Sequence, residues 1–159
     1  MGWGTSFGSD PLHALNLCLS YCYVTPRVTP FAQTHPEKGR FCLPECIRSV
    51  LHECYAPEDD ALILSMFFKR CLVCYPREEW FKMPQRLRSR GASPGDIRDF
   101  QEKKAVCLLD SEGRFYIPLP FRKYAEITRE ALLIGMVYFL ELWAPHRWEA
   151  YVAEETGRR

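Results

Sequence analysis

The chain contains one unit written twice, and this repeat restricts its fold more than any other feature. Gly39-Arg40-Phe41 returns as Gly113-Arg114-Phe115 at an offset of 74 residues, and the same offset carries Pro44 onto Pro118 and Arg48 onto Arg122. Ala61-Leu62 matches Ala131-Leu132, and Trp80 falls on Trp148. Cys71-Leu72-Val73-Cys74-Tyr75-Pro76 matches Phe139-Leu140-Glu141-Leu142-Trp143-Ala144. A unit of this size scarcely buries an apolar face alone, so two copies must pack on each other. The expected product is a pseudo-symmetric, β-rich barrel or sandwich of the α+β class, with short helices at its periphery.

The turn of the second copy is the better formed. Cys107, Leu108 and Leu109 approach it, Asp110-Ser111-Glu112-Gly113 makes it, and Phe115 and Ile117 alternate away from it. Asp at the first turn position accepts a backbone N–H bond, and Gly at the fourth takes φ > 0 at no steric cost. Asp110 and Gly113 thus orient the motif and deliver Arg114 to the start of a strand. In the first copy Gly39 keeps its place, but Pro36 stands where Asp would. Proline offers neither a side-chain acceptor nor an N–H, so a malformed first hairpin is expected.

Residues 1–33 show no period and are broken by Pro11, Pro26 and Pro30, which predicts an irregular N-terminal extension. The first repeat is placed over 34–80. Within it Phe41 and Leu43 alternate as in a strand, and Ile47, Val50, Leu51 and Cys54 form the stripe of a short amphipathic helix. Residues 61–65 and 71–75 are expected as buried strands. Pro76 opens a helix carrying Trp80, Met83 and Leu87, which Pro84 should kink or shorten. A helical connector over 81–105 holds a second helix near 96–104, with Ser93 as its cap. The second repeat, 106–152, runs through the same order, and 153–159 is expected to fray.

Composition excludes several function classes. The formal net charge is +1 over 159 residues, so any basic surface must be local or built by repeating a subunit. The eight cysteines sit mostly in apolar runs, as expected for reduced core residues of a cytoplasmic protein. Cys71-x-x-Cys74 has the local spacing of a zinc site, but strand positions three apart point to opposite faces. No metal and no cofactor are expected. No Ser-His-Asp or Cys-His spacing and no Gly-rich phosphate loop appear, so neither enzyme chemistry nor a small-molecule substrate is expected. The apolar stretch 12–24 is too short to span a bilayer, so no membrane partner is expected.

Over roughly residues 37–152 the chain resembles the MraZ family, tandem-repeat members of the AbrB/SpoVT-like swapped-hairpin superfamily. The likeness rests on Asp110-x-x-x-Arg114, Ile117-Pro118 and Arg122, with Arg70-Cys71-Leu72-Val73-Cys74-Tyr75-Pro76-x-x-x-Trp80 and Phe139-Leu140-Glu141-Leu142-Trp143-x-x-x-x-Trp148. It implies a swapped-hairpin barrel and a DNA-binding transcriptional regulator of a division and cell-wall gene cluster. It also implies ring-like homo-oligomers, associated with the nucleoid, that bind short repeats near their own promoter. An AbrB-like protein-interaction or antitoxin-type module with weakened DNA binding is the alternative.

Two roles stand open for Arg40 and Arg114. A guanidinium fork suits phosphate oxygens and guanine edges, which makes both residues DNA contacts. A local salt bridge, Asp110 holding Arg114, is the structural role. Both hold together if the Asp orients the Arg. Lys38 is the next DNA-contact candidate, and its counterpart in the second copy is Glu112. Arg48 and Arg122 are expected to brace their own short helices. Lys82, Arg86, Arg88 and Arg90 are expected to form a solvated helix face.

Overall fold

The computed structural model describes residues 30–35, 39–55, 61–66, 70–135 and 139–158. The first copy supplies β1 (Pro30–His35), β2 (Arg40–Cys42), α1 (Glu45–Cys54), β3 (Ala61–Ser65), β4 (Leu72–Pro76) and α2 (Arg77–Ser89). After α3 (Pro94–Glu102), the second supplies β5 (Lys104–Leu108), β6 (Arg114–Tyr116), α4 (Leu119–Ala125), β7 (Glu130–Gly135), β8 (Leu140–Trp143) and α5 (Pro145–Gly157). The expected order therefore occurs twice. Pro44, Pro76 and Pro118 precede α1, α2 and α4 with nearly equal dihedrals, φ −55 to −57° and ψ 143 to 146°. A ring-fixed φ sets each strand-to-helix corner without asking for an N–H.

The copies exchange strands. β1 of the first copy pairs with β7 of the second, and β5 of the second pairs with β3 of the first, both antiparallel. β2 pairs with β6, and β4 with β8. The sheet order is β5-β3-β4-β8-β7-β1-β2-β6. Thus the hairpins are swapped, as the resemblance implies. Among the described residues the barrel does not close as a ladder: β5 and β6 end the order and meet through the turn between them. The Asp110 N–H donates to the Arg114 carbonyl at 2.9 Å, and the Cys107 thiol lies 3.1 Å from the Tyr116 carbonyl.

Alternation divides the core into two layers. Leu62, Leu64, Leu72 and Cys74 face an inner cluster with Phe41, Phe115, Ile117 and Leu142. Ile63, Val73 and Tyr75 face an outer cluster closed by Trp80, Phe100 and Trp143. Burial on both faces makes β3 and β4 continuous apolar runs. Phe100 of α3 stacks on Trp80 with ring centroids 4.4 Å apart. Ser93 caps α3 as expected, its Oγ accepting from the Asp96 N–H at 3.1 Å.

Four local expectations are corrected. Pro30 to His35 is a strand, so the irregular extension expected over 1–33 does not reach its end; β7, distant in sequence, supplies the ladder. Pro30 begins the strand, where its missing N–H is tolerated. The first hairpin also pairs despite Pro36, with a register shift between Gln33 and His35. Pro36 and Lys38 themselves lie outside the described residues. Next, α2 continues past Pro84 to Ser89, because Trp80 and Met83 before the proline and Leu87 after it pack on the outer cluster. Finally, α5 continues to Gly157 rather than fraying from 153, and Glu154 is tied to Arg70 at 2.6 Å.

Candidate nucleic-acid interface

The β2–β6 ribbon lies on the pseudo-twofold relation between the copies. Phe41 opposes Phe115 at its centre, Arg40 opposes Tyr116, and Cys42 opposes Arg114. Both phenylalanines are buried in the inner cluster. Strand alternation therefore sends Arg40, Cys42, Arg114 and Tyr116 to the outer face. Arg40 and Tyr116 are exposed there, and Cys42 and Arg114 half-buried. Two small strands thus present an arginine at each end of one row.

The turn before Arg114 is tightly specified. Asp110 Oδ1 accepts the Glu112 N–H at 2.9 Å and the Arg114 N–H at 2.8 Å. Its Oδ2 accepts from Arg114 Nε, also at 2.8 Å. These bonds, foremost that from the Arg114 N–H, hold the Asp110 carboxyl below its usual range, and the same pairing pushes the Arg114 guanidinium up. The Arg114 Nη2 lies 3.1 Å from Glu112 Oε2. Asp110 therefore fixes the plane of the guanidinium through Nε, while Glu112 competes for one of its outer nitrogens. The two carboxylates thus engage different nitrogens of one side chain.

Each turn is braced by the other copy. Gly113 has φ +75°, and a Cβ there would lie 2.1 Å from Arg48 Cδ. Gly39 has φ +66°, and a Cβ there would lie 2.7 Å from the Arg122 guanidinium carbon. Arg48 Nη1 donates to the Glu112 carbonyl at 2.7 Å, and Arg122 Nε donates to the Ile117 carbonyl at 2.9 Å. The Leu43 N–H donates to the Gly113 carbonyl and the Ile117 N–H to the Gly39 carbonyl. Both glycines thus serve two needs, left-handed backbone and room for an arginine. Arg48 and Arg122 do not merely brace their own helices, as expected; they lie against the opposite hairpin. The Arg122 guanidinium also sits 6.0 Å from the Tyr116 ring centroid, within cation–π range.

Other candidates fall away from the ribbon. Lys82 and Arg86 are not simply a solvated face: they hold buried Glu79 at 3.0 and 2.6 Å. Cys71, just before β4, belongs to the outer cluster, and Cys74, within β4, to the inner one. Burial pushes the Cys71 and Cys107 thiols up to about 12, and Cys74 up as well, so all three stay protonated. No helix among the described residues is long and apolar enough to cross a membrane.

Residues 100–158 match the family model described as "MraZ protein, putative antitoxin-like". The chain is 34% identical over 124 residues to the transcriptional regulator MraZ of Pelotomaculum thermopropionicum, covering 76% of this chain and 81% of that one. It is 33% identical over 125 residues to the protein of the same name from Halothermothrix orenii, covering 75% and 82%. To that of Cutibacterium acnes it is 33% identical over 119 residues, covering 72% and 79%.

Proposed function

Because the chain belongs to the MraZ family, we propose that it is a non-enzymatic, DNA-binding transcriptional regulator whose DNA contacts lie on the β2–β6 ribbon. The observation that carries this reading is the outward row with Arg40 and Arg114 at its two ends. A two-stranded ribbon fits the major groove of B-DNA, and arginine is the side chain best matched to guanine and phosphate there. The twofold relation of the two arginines suits the local twofold symmetry of a duplex. Lys38, next to Gly39 in sequence, is a further contact in this reading. A homo-oligomer, ring-like, would bring several ribbons onto repeated sites near its own promoter and raise affinity through effective concentration. Its targets are a division and cell-wall gene cluster, and its place is the nucleoid in the cytoplasm.

Fluorescence anisotropy with a fragment from upstream of the gene tests the proposal. Affinity should fall steeply with salt, as phosphate contacts require. Arg40→Ala and Arg114→Ala should each weaken binding at least about tenfold, the loss of one good contact. Glu112→Gln should tighten it several-fold by freeing the outer nitrogen of Arg114. If the upstream fragment competes no better than a shuffled one, the proposal fails. The second reading, an antitoxin-type interaction module, is favoured by the two carboxylates already on Arg114. A protein partner that co-purifies, with no DNA preference, would select it.

A further inference from the structure

The twofold relation of the ribbon is broken at two of its four outward positions. Arg40 and Arg114 stand on one diagonal of the outer row, and Cys42 and Tyr116 on the other. Each arginine therefore faces an unlike residue across the ladder. Arg40 faces Tyr116, which is 47% exposed. Arg114 faces half-buried Cys42, whose thiol is turned toward the Glu112 carbonyl at 3.7 Å. Residues directly opposite in a ladder have Cβ atoms about 4.5–5.5 Å apart. Ring and guanidinium at the first end thus form one contiguous surface. The ring also has a neighbour behind it, the Arg122 guanidinium 6.0 Å from its centroid. Arg122 is itself fixed by its bond to the Ile117 carbonyl at 2.9 Å. Phe115, not Tyr116, fills the core from this strand, so burial does not account for the exposed ring.

We propose that Tyr116 is a specificity-determining residue: its ring meets the 5-methyl group of a thymine beside the base contacted by Arg40, and the ribbon reads an asymmetric site. This rests on the reading of the ribbon as the DNA-contacting surface given above. Apolar contact with the thymine methyl is one of the direct readouts of the major groove, alongside arginine on guanine. A strand rise of about 3.3 Å per residue sets the two ends of the row about 7 Å apart. That is two base-pair steps of about 3.4 Å each. A duplex laid along the ribbon meets Arg40 with Tyr116 at one end, and Arg114 with the inward-turned Cys42 at the other. Of the four outward residues, Tyr116 is the one that offers a large apolar surface. The methyl requirement therefore falls on one half of the site, and its twofold-related place in the other half carries none.

Fluorescence anisotropy on the intact protein tests this, with the upstream fragment in its natural form and with every thymine replaced by deoxyuridine. The replacement removes the methyl groups and keeps base pairing. The parent protein should bind the deoxyuridine fragment about fourfold more weakly, the worth of one buried methyl. Tyr116→Phe keeps the ring and should keep that ratio. Tyr116→Cys makes the two ends of the row alike. It should bind both fragments equally, at the affinity the parent shows for the deoxyuridine form. Thymines replaced one at a time should show a sensitive position on one side of each protected element and none at its twofold-related place. Equal binding of both fragments by the parent, or an undiminished ratio in Tyr116→Cys, would overturn the proposal. A parent that prefers its upstream fragment to a shuffled one yet ignores the methyl groups refutes the role of Tyr116 alone. A parent without that preference refutes the reading of the ribbon on which the role rests.

Discussion

The first and second copies share one plan but stabilise it differently. At the hairpin, the second copy ties its turn with Asp110, whereas the first carries Pro36 at that position and a register shift between Gln33 and His35. At the corner between α4 and α5, the second copy is latched by Glu126, which reaches His146 and Arg147, and the first leaves a cleft beside α1. The second copy is thus held by its own local polar bonds. Packing and exchanged strands hold both copies alike. Duplication followed by exchange of strands makes this division workable, because neither copy has to stand alone.

Four experiments sharpen or break the comparison. The largest effect should come where the copies are most alike. Phe41→Ala and Phe115→Ala each remove a ring from the centre of the ribbon and should cost about 3–5 kcal/mol apiece. Urea unfolding that separates the two widely would contradict their equivalence in the core. Next, Gly113→Ala places a Cβ where Arg48 lies and forces an L residue to φ +75°; strain of this kind costs about 1–3 kcal/mol. Gly39→Ala should cost less, since the atoms it meets are the swinging end of Arg122.

A third, smaller effect depends on pH. The Asp110 carboxyl titrates below its ordinary value in the folded chain. As pH falls, the unfolded chain therefore takes up that proton first. The stabilisation is present above the ordinary carboxylate value of about 4 and is lost as pH falls through the depressed one. Asp110→Asn should lower the urea midpoint at pH 7, and the difference from the parent should vanish in acid. The smallest effect should follow Glu126→Gln, which opens the latch. Its surface ion pairs are screened, so the change in midpoint should disappear at about 1 M salt. An equal loss at high salt would show that the corner is held by something other than charge.

Local chemistry was legible and long-range pairing was not. The Asp110 turn, the Ser93 cap and the three proline corners each depend on residues within a few positions of one another. The same is true of the apolar strands β3 and β4. Arg40, Arg114, Gly39, Gly113 and Asp110 could be named from the motif alone. The strand β1 was missed because its period is poor and its ladder comes from β7, about a hundred residues away in the chain. Strand identity follows the partner more than the propensity. Arg48 and Arg122 were assigned to their own helices, since spacing along one chain cannot reveal that each lies under the other copy's glycine. The persistence of α2 through Pro84 has the same origin: tertiary anchoring by Trp80 and Met83 outweighs the lost bond.

By itself the sequence determined that a unit occurs twice, that each copy reverses at a glycine and presents an arginine, and that neither copy can bury its own face. These follow from short-range sterics, hydrogen bonding and alternation. Only the tertiary structure decided which copy completes which. Strand exchange places both arginines on one ribbon and sets each glycine beneath the opposite arginine. It also leaves one helix corner latched and the other open. Those outcomes depend on contacts between residues far apart in the chain, whose register is set by burying one shared core.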